Sequence, residues 1–121
     1  AGNKDDALSP AQITANQNDY APANAQWTHF WRLSTDAGRT ITGITPGNVQ
    51  AAQGTTEPTG YQLTIMNVGA FTITLANQNV SSAAGARIIT GTGADLSLLA
   101  DQTVTLWYDG TTQRWRIQKN A

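Results

Sequence analysis

The segment from Val104 to Ile117 constrains this chain more than any other. Two alternating runs flank an Asp109-Gly110 dipeptide, and Asp-Gly supplies the positive φ angles that a tight hairpin turn needs. Pleating puts Val104, Leu106 and Tyr108 on one face of the first run and Trp115 and Ile117 on one face of the second. Trp107 then points opposite to Leu106 and Tyr108, away from the domain's own core. Arg114 and Arg116 flank Trp115 on the far side of the same strand. The segment predicts an antiparallel hairpin.

The rest of the chain repeats the strand-turn-strand theme. Trp27 to Leu33 is a strand with Trp27, His29, Trp31 and Leu33 on one side and Thr28, Phe30 and Arg32 on the other. Thr40 to Ile44 follows an Asp36-Ala37-Gly38 turn. Gln62 to Val68 alternates cleanly, and Val68-Gly69-Ala70 turns the chain into Phe71 to Leu75, with Phe71, Ile73 and Leu75 inward. These two strands read as a hairpin theme of their own. Arg87 to Thr90 and Asp95 to Leu99 are shorter strands. Pro46, Gly47, Gly54, Pro58 and Gly60 mark a long surface loop over 45–60. Ser82 to Ala86 is Ala-rich, but Gly85 limits it to one helical turn. Eight or nine short strands separated by turns are the signature of a sandwich or barrel. The expected fold is all-β: a single antiparallel β-sandwich, jelly-roll-like, over residues 11–121. Residues 1–10 form a short N-terminal arm, either a frayed end or a segment that becomes ordered on a neighbouring protein.

A chain of 121 residues is one domain by length. It should bury roughly two-thirds of its extended surface, enough for one core. Charged residues are only 12% of the chain, about half the usual share. A surface so poor in charge is covered by neutral polar groups or by other protein, and neutral surfaces associate easily. The net charge is −1 with no basic run, so no nucleic-acid partner is expected. The apolar stretches are too short for a membrane-crossing helix, and no membrane partner is expected. No apolar secretory signal opens the chain, and the Ala1-Gly2 start fits removal of an initiator Met in a cytoplasm. Cysteine is absent, so neither a disulfide framework nor a cysteine metal site is available.

Reactive chemistry is sparse. His29 is the single histidine, so any histidine-paired nucleophile or multi-histidine metal site would have to be built around it. Asp36, Asp101 and Asp109 sit beside turn residues, where Asp bonds its own backbone. Nothing pairs two carboxylates as a glycosidase would, and no calcium-loop spacing follows Asp5-Asp6. Gly91-Thr92-Gly93 begins like a dinucleotide loop but lacks the third Gly and opens a strand. Asn79-Val80-Ser81 fits the glycosylation pattern, which means little without a secretion signal. No enzymatic activity, cofactor or metal is expected. The aromatic residues remain, as core and subunit seams or as a sugar-stacking platform. Arg114 and Arg116 form either a solvated strand face or part of a protein interface.

Three blocks carry a resemblance: Trp31 to Ile44, Leu63 to Asn77, and Leu98 to Arg116 with its Gln102-Thr103-Val104-Thr105-Leu106-Trp107-Tyr108-Asp109-Gly110 run. Together, over roughly residues 12–117, they resemble a β domain of tailed-bacteriophage virion proteins, both capsid decoration (head-fibre or cement) proteins and tail-fibre modules. The resemblance implies a homotrimer without catalytic residues, made in the host bacterial cytoplasm and carried on the virion. The short lead before the first strand, with no shaft, favours a decoration protein on the capsid exterior whose partner is the major capsid protein. On that expectation Lys4, Asp5, Asp6 and Leu8 dock on the capsid, Leu8 as apolar anchor and the others as rim charges. Trp107, Arg114 and Arg116 line the trimer seam. The alternative is a receptor-binding tail-fibre module that recognises host glycan through exposed aromatics.

Overall fold

The computed structural model describes residues 7–23, 29–45 and 60–117. Eight strands follow in order: β1 (Phe30–Leu33), β2 (Arg39–Ile41), β3 (Gln62–Asn67), β4 (Ile73–Leu75), β5 (Ile88–Ile89), β6 (Leu96–Leu98), β7 (Thr103–Asp109) and β8 (Arg114–Ile117). A 3-10 turn, Ala84–Ala86, precedes β5. Five strands form one sheet in the order β1-β3-β7-β8-β5, and three form a second in the order β2-β4-β6. The domain is an all-β, sandwich-like fold.

The strand directions are mixed where a wholly antiparallel arrangement was expected. β1–β3, β2–β4 and β5–β8 are parallel, while β3–β7, β4–β6 and β7–β8 are antiparallel. The reason lies in how the chain travels. Residues 30–41 cross from the first sheet to the second, and residues 62–75 repeat that path alongside in the same direction. The segment before them does likewise through single bridges: Leu8 to Trp31, Ile13 to Thr35, Gln17 to Ile41 and Tyr20 to Ile44, all parallel. Residues 96–109 make the same crossing in reverse, which gives the antiparallel β4–β6 and β3–β7 pairings, and the β7–β8 hairpin supplies the third.

Val68 to Thr72 is therefore a corner between sheets. β3 and β4 do not pair with each other, and Phe71 lies outside both strands, 47% exposed. Asn67 holds this corner from within. Its side-chain amide donates to the Phe71 carbonyl (2.8 Å) and the Leu98 carbonyl (2.9 Å), and its Oδ1 accepts from the Gly69 N–H (3.1 Å). At 1% exposed, Asn67 bonds three backbone groups of the corner and its neighbouring strand.

The core fills the space between the sheets. Trp31, Leu33, Leu63, Ile65, Leu106 and Trp115 face inward from the large sheet, and Ile41, Ile73, Leu75 and Leu98 from the small one. Ile13, Tyr20 and Ile44 close one side. Each such side chain contributes about 1.5–3 kcal/mol on burial. Trp115 Nε1 donates to the Ile44 carbonyl at 2.8 Å, tying β8 to the end of the second crossing. Its ring meets Tyr108 edge-on at 5.1 Å. Gly43 lies so close to Ser82 and Ala86 that an added Cβ would sit 2.5 Å from Ser82 Oγ and 2.6 Å from the Ala86 carbonyl oxygen.

The β7–β8 hairpin forms with the facing expected from alternation: Val104, Leu106, Tyr108 and Trp115 are buried, Trp107 and Arg116 exposed. Its turn differs from expectation. Asp109 is the last residue of β7 and pairs with Arg114, leaving Gly110 to Gln113 as the loop. The left-handed residue is Gln113, at φ 56°, and Gly110 is not among the residues of positive φ. A four-residue loop places its positive φ at the far end, where a two-residue Asp-Gly turn would place it in the centre.

Candidate interaction surface

The outward face of the large sheet is the most distinctive surface of the domain. β7 is its central strand, and Trp107 stands on the solvent side, 41% exposed. Its register neighbours are Gln62 on β3 and Arg116 on β8. Phe30, also 41% exposed, faces out from β1 opposite Thr64. Between them Thr64 and Thr105 join hydroxyls at 3.3 Å. A depression of about 310 Å³ is lined by His29, Phe30, Gln62 and Thr64.

The seam residues expected from the sequence come together. Trp107 and Arg116 are Cα partners, and Arg114 pairs with Asp109 two residues along. Arg116 Nε donates to Asp109 Oδ2 at 2.9 Å, and the Thr112 hydroxyl donates to the same oxygen at 2.8 Å. These bonds, the Thr112 hydroxyl foremost and Arg116 next, hold the Asp109 carboxyl below the usual carboxylate range. Arg114 is directed sideways: Nε donates to Gln78 Oε1 at 2.8 Å and Nη1 to the Gln113 carbonyl at 3.1 Å. It braces the hairpin, while Trp107 and Arg116 are presented outward. A tryptophan and an arginine at partnered positions on one sheet face are the residue types that protein interfaces favour at their centres.

The docking residues divide. Lys4, Asp5 and Asp6 lie outside the described residues. Leu8 is half-buried against the core. Its N–H donates to the Phe30 carbonyl (2.8 Å) and its carbonyl accepts from the Arg32 N–H (2.7 Å), so it continues the large sheet beside β1.

His29 is partly exposed. It stacks on Tyr61 with centroids 4.7 Å apart, and its Nδ1 lies 3.1 Å from the Gln62 carbonyl oxygen. Trp27, expected on the same side, falls outside the described residues. Among the described residues no three His, Cys, Asp or Glu side chains gather as metal ligands. Several carboxylates hold loops: Asp36 pairs with Arg39 at 2.8 Å, Asp19 Oδ1 accepts from the Ala83 N–H, and Asp95 Oδ1 from the Asn77 N–H. Sequence reasoning did not single out Phe30 as part of this face. Alternation marks Phe30 as outward, but only the β1-β3-β7 order sets it on the same sheet face as Trp107. Comparison with known proteins finds no matching family model, no matching curated protein and no matching solved structure.

Proposed function

We propose that this chain is a structural virion protein of a tailed bacteriophage, a homotrimer that binds the outside of the assembled capsid and bridges major capsid protein subunits. Its work is mechanical: added interface area opposes the pressure inside the shell. Apolar burial contributes roughly 25 cal/mol per Å², less the cost of ordering the groups involved. The observation that carries the reading is Trp107, 41% exposed on the central strand of a sheet with Arg116 beside it. An aromatic so placed supports association with protein. The resemblance blocks add support: Trp31–Ile44 holds all but the first residue of β1 and all of β2, Leu63–Asn77 all but the first residue of β3 and all of β4, and Leu98–Arg116 the last residue of β6, all of β7 and all but the last residue of β8, so they are framework.

The test uses capsids from a tailed phage encoding this chain, stripped of it, and the purified full chain. The wild type should co-sediment with the capsids. Lys4→Ala/Asp5→Ala/Asp6→Ala should weaken binding at least tenfold and leave the fold intact. This triple substitution is cleaner than deleting residues 1–10, because deletion also removes the two backbone bonds of Leu8. Undiminished binding by the triple variant refutes the arm as the docking element. Absence of capsid binding, with glycan-dependent adhesion to host cells lost in Trp107→Ala, replaces the reading with a receptor-binding tail-fibre module.

A further inference from the structure

A ring of three copies joins two different patches at every seam, because the rotation that closes it is not a two-fold. If the homotrimeric reading above holds, the face around Trp107 is one half of an interface and needs a complementary half elsewhere on the same chain. Large exposed apolar side chains among the described residues are Phe30 and Trp107 on the sheet face, Val80 on a loop, and Val68, Phe71 and Leu99. The last three lie on adjacent corners between the sheets. The Asp101 N–H donates to the Asn67 carbonyl at 2.8 Å, and Asn67 in turn donates to the carbonyls of Phe71 and Leu98. The corners Val68–Thr72 and Leu99–Gln102 are thereby fused into one ridge, with Val68 44%, Phe71 47% and Leu99 49% exposed.

Charge matches the two patches. Asp36 is paired with Arg39, and Asp109 with Arg116. Asp101 on the ridge and Arg32 on the sheet face are both exposed, and neither side chain has a bonded partner among the described residues. Among the described residues, then, one negative and one positive charge without a bonded partner stand on the two apolar patches. The geometry points to a second copy of this chain as the occupant: the Val68–Phe71–Leu99 ridge of one copy docks on the Phe30–Trp107 face of the next, with Asp101 directed toward the arginines there.

Phe71→Glu and Trp107→Glu test this, with molar mass read by light scattering at high protein concentration. Wild type should run at three times the chain mass of 12.9 kDa, and each variant alone at the chain mass. An equimolar mixture should give a species of twice the chain mass, because the intact face of Phe71→Glu meets the intact ridge of Trp107→Glu and both outer ends are blocked. Near-UV circular dichroism checks that each variant is folded, and Leu99→Glu replaces Phe71→Glu if it is not. Trimeric Phe71→Glu beside monomeric Trp107→Glu overturns the ridge and leaves the Trp107 seam standing. A mixture that stays monomeric also overturns the ridge. A monomeric wild type, or two variants of wild-type mass, overturns both.

Discussion

Trp31 and Trp115 are both fully buried, yet their indole N–H groups stand in opposite situations. Trp115 Nε1 donates to the Ile44 carbonyl at 2.8 Å; Trp31 Nε1 has no partner among the described residues. Replacing each by Phe makes the same change of volume and differs chiefly in that bond. The packing loss is about 1–2 kcal/mol at either site, on the scale of removing buried carbons. In Trp115→Phe the stranded Ile44 carbonyl adds about 1–3 kcal/mol. In Trp31→Phe, removing an unsatisfied buried donor returns a similar amount, about 1–3 kcal/mol. Trp115→Phe should therefore be less stable than Trp31→Phe by at least about 2 kcal/mol, or about 8 °C in Tm for a domain of this size. Urea unfolding followed by far-UV circular dichroism measures both, and unchanged m-values certify that stability alone has moved. Equal losses, or a larger loss for Trp31→Phe, would refute the claim that the Trp115 bond holds β8 to the second crossing.

Asn67→Ala should cost about 2–4 kcal/mol in the same assay, because it abandons three backbone groups at a buried corner; a loss under about 1 kcal/mol would mean those groups find other partners. Gly43→Ala should lower stability by about 1–3 kcal/mol or more through overpacking against Ser82 and the Ala86 carbonyl, read as a lower urea midpoint. Burial pushes the phenols of Tyr20 and Tyr61 up to about 12 from their ordinary value of 10.0. A raised folded value means that the neutral ring favours the folded state: this stability is complete below about pH 10 and is lost as pH rises toward 12. Absorbance at the tyrosinate band should then rise together with loss of structure, and free titration of both rings near pH 10 in the folded protein would contradict their burial. Asp109→Ala should change stability by less than about 1 kcal/mol, since its pair with Arg116 is solvent-exposed, and its effect should fall on assembly mass.

Alternation along a strand is a local property of the pleat, and the chain declares it plainly. Leu106, Tyr108 and Trp115 inward with Trp107 and Arg116 outward follow from period two alone. So do the strands around Trp31, Ile65 and Ile73, and with them the all-β class. Pairing is not local. β1 and β3 lie side by side in parallel, Phe30 opposite Thr64 and Trp31 opposite Ile65, and nothing in either run names the other. A Val-Gly-Ala turn reads alike whether it closes a hairpin or bends the chain from one sheet to another. The corner at Val68–Thr72 was settled by the crossings stacked beside it and by the buried Asn67 amide. The corner left Phe71 outside, and the strand order set Phe30 and Trp107 on one face. The hairpin turn shows the same division: Asp109-Gly110 announced a reversal, but pairing of Asp109 with Arg114 extended β7 and moved the positive φ to Gln113. Local chemistry chose which residues form strands and which way they face; the packing of two sheets chose their neighbours, because only the assembled core tells one register or partner from another.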